Sequence, residues 1–218
     1  MKAKFSEQTL IAELVTDLTP VPFYQRPVYF LGIWFLLSSG YFYALLYGFM
    51  GHSLNGLFSM DLTSQISVAL VLAIFLSASL LGLRSGFPGF KKTRLNSIPA
   101  GLLLLWGLVF LSRYFTAGAN HATDYRFFSA QDFTCLPCLL AFSAIPAAFY
   151  IFALRKLAPT ETRWVGFIAL MAAGAGAAFC GEFYCLIESP AHRIFAHWGS
   201  VVLVAFIGRN LGPRLLRW

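Results

Sequence analysis

The sequence predicts an all-α, polytopic membrane protein, a bundle of six transmembrane helices with both termini cytoplasmic and a short amphipathic helix ahead of the first span. Three observations carry that expectation. Of 218 residues, 58% are hydrophobic and only 11% charged, with mean hydropathy +0.70, whereas a soluble domain carries about 25% charged residues. Six apolar runs are each long enough to cross about 30 Å of hydrocarbon at about 1.5 Å per helical residue. Thirteen of the sixteen basic residues fall in alternate loops and at the two termini, leaving only Arg113, Arg126 and Arg193 on the other face. Basic loops stay cytoplasmic, so this bias sets the orientation. The net charge of +7 therefore reads as an orientation signal with some attraction to anionic membrane lipid. It gives no reason to invoke direct nucleic-acid binding.

The elements follow in chain order. Residues 1–27 form a polar cytoplasmic arm without the short apolar core of a cleavable signal, and residues 28–218 form the membrane domain. Within the arm, Leu10, Ile11, Leu14, Val15 and Leu18 make one apolar stripe on a helix, with Ser6 as N-cap. Thr19-Pro20-Val21-Pro22 ends it, since proline lacks the backbone donor and restricts its predecessor. Glu7, Glu13 and Asp17 occupy the polar side. A stripe of this kind packs on the other helices or on lipid, but an acidic, short helix suits a protein groove better than an anionic membrane. The partner-binding set is accordingly Leu10, Ile11, Leu14, Val15, Asp17 and Leu18.

The spans cover roughly residues 28–50, 64–83, 97–115, 136–154, 164–183 and 193–211. Pro137 and Pro146 fall in the fourth, where membrane helices tolerate them, and a glycine–alanine run at 172–178 allows close packing in the fifth. Trp106, Trp164, Trp198 and Trp218 are expected to include interface anchors.

This topology places every cysteine and histidine on the outer face. Cys135 and Cys138 open the fourth span, Cys180 and Cys185 close the fifth, and His52, His121, His192 and His197 occupy outer loops or adjoining turns. Asp61, Asp124, Asp132, Glu182 and Glu188 join them. Three chemistries compete there. A disulfide between the fourth and fifth spans would be a structural staple in an oxidising compartment. A redox switch would use Cys135, expected at or before a first helical turn where the dipole favours a thiolate. A metal site would use Cys135, Cys138 and Cys185 with a histidine among His121, His192 and His197, a donor set suited to transient binding of zinc, copper or a cadmium-like ion. Cys180 and Cys185, five residues apart, diverge by about 140° on a continuous helix. One of them is the expected partner of the Cys135/Cys138 pair, and Cys185 is favoured.

The stretch Leu10-Ile11-Ala12-Glu13-Leu14-Val15-Thr16-Asp17-Leu18-Thr19-Pro20-Val21 resembles the opening of the NrsF family of membrane anti-sigma factors. So do Cys185-Leu186-Ile187-Glu188-Ser189-Pro190, His197-Trp198, Gly208-Arg209 and Leu215-Leu216-Arg217-Trp218 near the end. The resemblance implies a bacterial inner-membrane protein, not an enzyme, that sequesters an extracytoplasmic-function sigma factor. It also implies that a cysteine from each of two outer loops responds to metals or oxidants; Cys185 matches one, and either Cys135 or Cys138 the other. The competing expectation is a membrane thiol:disulfide oxidoreductase using quinone, which leaves the acidic arm without a purpose.

Overall fold

In a long apolar stretch the backbone has no partner but itself, so its hydrogen bonds close within one segment. The computed structural model describes residues 27–50, 61–88, 90–91, 93–118, 130–185, 187 and 189–217, and among these every regular element is helical. The helices are α1 (Pro27–Met50), α2 (Leu62–Ser85), α3 (Ile98–Gly118), α4 (Ala130–Arg155), α5 (Thr162–Tyr184) and α6 (Pro190–Leu215). A 3₁₀ turn, Arg94–Ser97, leads into α3. Five of these helices are long and apolar enough to cross a membrane; in α1 the described apolar stretch is the shorter Gly32–Leu45. Outward-facing Leu36, Leu104, Phe152 and Phe206 are all more than half exposed, a surface suited to lipid.

Helix ends lie close to the limits of the apolar runs, with one exception. α4 begins at Ala130, six residues before the apolar run at 136, because a helix can continue through polar residues beyond the hydrocarbon. At the start of α2, Asp61 accepts the Thr63 N–H at 3.3 Å and pairs with Arg113 Nη2 of α3 at 2.7 Å. A hydrogen bond from Ser64 and the nearby guanidinium hold the Asp61 carboxyl below its ordinary pKa.

α5 is the central helix, buried along nearly its whole length and packed against α1, α2, α4 and α6. Its small residues explain this position. A Cβ added to Gly166 would strike the Gly208 carbonyl, and one added to Gly212 the Thr162 carbonyl, so α5 and α6 touch backbone to backbone. The ring of Phe42 fills the space over Gly176. Trp106 corrects an expectation: it is fully buried, not an interface anchor, because its indole N–H donates to Ser67 Oγ at 2.7 Å inside the bundle. Trp34 is likewise internal and donates to the Pro146 carbonyl at 3.2 Å.

Candidate functional site

Three helix ends converge at one end of the bundle: the start of α4, the end of α5 and the start of α6. α5 stops at Tyr184 because Cys185 turns extended (φ −78°, ψ 114°), although its N–H still donates to the Gly181 carbonyl at 3.0 Å. Pro190 then opens α6 at the first helical position, where its missing N–H costs nothing.

The next segment of α6 is not α-helical. Arg193–Trp198 forms a π-helical turn, and the Gly199 N–H donates to the Ile194 carbonyl five residues back. His192 and His197 are five residues apart, and on an α-helix they would diverge by about 140°. The wider turn brings them onto one side, with ring centroids 5.5 Å apart. π-turns of this kind recur at functional sites.

Both imidazoles face two thiols. Cys185 Sγ lies 3.1 Å from His192 Nε2, and Cys135 Sγ lies 3.8 Å from His197 Nε2. One ligand atom from each of Cys135, Cys185, His192 and His197 falls within 4.8 Å of all the others. Hydrogen bonding from Cys135 lowers the Cys185 pKa most; burial opposes the shift, and His192 and His197 reinforce it. The balance keeps the Cys185 thiol well below its ordinary range.

A second layer lies behind the first. Glu182, in the last turn of α5, accepts from His197 Nδ1 at 2.8 Å and from Arg193 Nη1 at 2.8 Å. Its side chain is completely buried. The carboxylate thereby turns His197 Nε2 towards Cys135.

A family model described as "Negative regulator of sigma F", NrsF, matches residues 14–218. The chain belongs to the NrsF family. It is also 27% identical over 191 residues to a protein of Azospira oryzae named "Probable anti-sigma-F factor NrsF", covering 82% of this chain and 88% of that relative. No solved structure matches. The role of an NrsF protein is negative regulation, not catalysis.

Within this NrsF chain the fold sorts the expected site residues. Cys135, Cys185, His192 and His197 come together. Cys138, three residues on along α4, is exposed and outside the cluster. Cys180 is buried separately, its thiol 3.9 Å from the Phe42 carbonyl. Cys135 does not open a helix as expected: because α4 starts at Ala130, it sits in the second turn, beyond the free N–H groups that would favour a thiolate. His121 and the arm residues Leu10, Ile11, Leu14, Val15, Asp17 and Leu18 lie outside the described residues. Glu182 and Arg193 had no assigned role from sequence. The signal was present, since an ionisable residue inside an apolar run marks a functional position.

Proposed function

We propose that this chain is a six-span anti-sigma factor of the bacterial inner membrane, with both termini cytoplasmic, whose arm holds an extracytoplasmic-function sigma factor through Leu10, Ile11, Leu14, Val15, Asp17 and Leu18. A change at Cys135 and Cys185 on the periplasmic side releases that factor. The observation that carries this reading is the approach of those two sulfurs within 4.8 Å, one from α4 and one from just past α5, in a protein of a regulatory family. The orientation is supported by the basic residues Arg84, Arg94, Arg155, Arg163 and Arg214, which belong to helix ends opposite the cluster.

Two inputs act on the same pair. A peroxide converts the two thiols to a disulfide: one S–S bond forms, and two protons and two electrons reduce the peroxide to two waters. A soft metal ion instead displaces the thiol protons and is held by the sulfurs. Either event removes the hydrogen bonds that Cys135 and Cys185 make in the reduced site and shifts α4 relative to α5. A bias of about 1–3 kcal/mol between the two bundle states changes sigma affinity by about 5–150-fold.

The test is co-purification of the full chain with its sigma factor, paired with a sigma-dependent reporter. Leu14→Asp should abolish capture. Cys135→Ser and Cys185→Ser should each make the reporter insensitive to peroxide and cadmium, whereas Cys138→Ser should keep the response. Capture unaffected by Leu14→Asp would remove the arm from the mechanism, and a normal response in Cys185→Ser would remove the sensor.

A further inference from the structure

We propose that Cys135, Cys185, His192 and His197 form a closed, tetrahedral Cys₂His₂ site for one divalent d¹⁰ ion of the zinc or cadmium class, with Glu182 as its outer-sphere positioning residue. This deepens the sensor reading of the same cluster by naming its ligands and its ion.

Geometry supports four ligands rather than two. With metal–sulfur bonds near 2.3 Å and metal–nitrogen bonds near 2.0–2.1 Å, the edges of a tetrahedral site are about 3.3–3.8 Å. The Cys185–His192 and Cys135–His197 edges are 3.1 and 3.8 Å, and the remaining edges are at most 4.8 Å. Shifts of at most about 1.5 Å along any edge therefore close all four atoms on one ion. The π-turn is needed for this, since it presents both histidines of α6 to the same point. Without it the chain would offer one imidazole and leave the site open.

Charge selects the ion. Two thiolates and two neutral imidazoles exactly neutralise a divalent cation, while Glu182 and Arg193 neutralise each other at 2.8 Å. A monovalent ion would leave one uncompensated negative charge among buried groups, which is costly. Sulfur and imidazole donors exclude magnesium and calcium, which take oxygen ligands. Glu182 then completes a carboxylate–histidine–metal relay: it accepts from His197 Nδ1 at 2.8 Å, which fixes the tautomer that leaves Nε2 free to bind metal.

The experiment titrates Co²⁺ and Cd²⁺ into the reduced full-length protein in detergent. The expected result is one ion per chain, with the intense visible bands of tetrahedral cobalt and a thiolate-to-cadmium ultraviolet band. His192→Ala and His197→Ala should each weaken binding at least tenfold, and Cys138→Ser and Cys180→Ser should leave it unchanged. Glu182→Gln should weaken binding by about 10–100-fold while preserving one-ion stoichiometry and the tetrahedral spectrum, a pattern that general unfolding would not give. Wild-type protein that binds no cobalt, histidine variants that bind like wild type, or equal loss in Cys138→Ser would each overturn the site. Sigma capture separates the two readings. A chain that captures sigma but binds no metal overturns this site alone. A chain that binds metal as described but captures no sigma overturns the regulatory reading alone.

Discussion

Along one pair of helices, α5 and α6, two opposite packing solutions occur. Towards the start of α5, Gly166 meets Gly208 and Gly212 with no side chain between the backbones. The spacing of Gly208 and Gly212 is the small-xxx-small pattern that lets membrane helices approach closely. At the other end, Glu182, Arg193 and His197 are buried together, with the two thiols beside them. The glycine contact has one arrangement and nothing titratable or reactive in it. The polar end has several, because sulfur can be protonated, oxidised or metallated and imidazole can change partner. The difference teaches that one helix pair can join a tight backbone contact at one end to a buried, chemically reactive cluster at the other.

Experiments that break this contrast can be ranked by expected effect. Glu182→Ala should cost on the order of 3–5 kcal/mol, since removing one partner strands a buried Arg193 charge; reversible unfolding in mixed micelles measures it. Replacing Glu182, Arg193 and His197 together with leucine should recover most of that loss, because an apolar cluster leaves no unpaired charge. Gly208→Leu should cost about 1–3 kcal/mol or more by forcing the helices apart. Gly101→Ala is the matching control. Its Cβ meets nothing within 4 Å, so it should stabilise α3 by about 0.5–1 kcal/mol.

Smaller effects sharpen the sorting of cysteines and the cap of α2. In the reduced protein, Cys180 should alkylate last and Cys138 before the buried Cys135, as their exposure and burial require, read by mass mapping over time. Cys138→Ser should change stability by less than about 0.5 kcal/mol. Asp61→Asn should cost about 0.2–1 kcal/mol at neutral pH, the range of an exposed ion pair. The folded Asp61 pKa is lowered. Its contribution is therefore fully present above the ordinary value near 3.9 and fades as pH falls through the folded value. Unfolding curves for this variant and the parent should converge in acid.

The helices themselves were legible in the sequence, because apolar length and the need to close backbone hydrogen bonds within a segment leave few alternatives. The start of α4 was not, since the polar residues before 136 carry no hydropathy signal that separates helix from loop. Helical angle says only that Cys180 and Cys185 cannot face one neighbour; the structure sets Cys185, not Cys180, beside Cys135. The same angle misleads for His192 and His197. Their spacing of five argues against a shared face until the π-turn is known.

Sequence alone determined the α class, the apolar segments, the charge bias between their ends and the resemblance to NrsF proteins. These are one-dimensional properties, carried by composition, period and order. Tertiary structure decided which of the four cysteines belong together, that two histidines join them, and that Glu182 and Arg193 stand behind His197. Those choices depend on how far each helix is rotated about its axis. For α5 and α6 that rotation is set by where Gly166, Gly208 and Gly212 allow contact, and by one widened turn in α6.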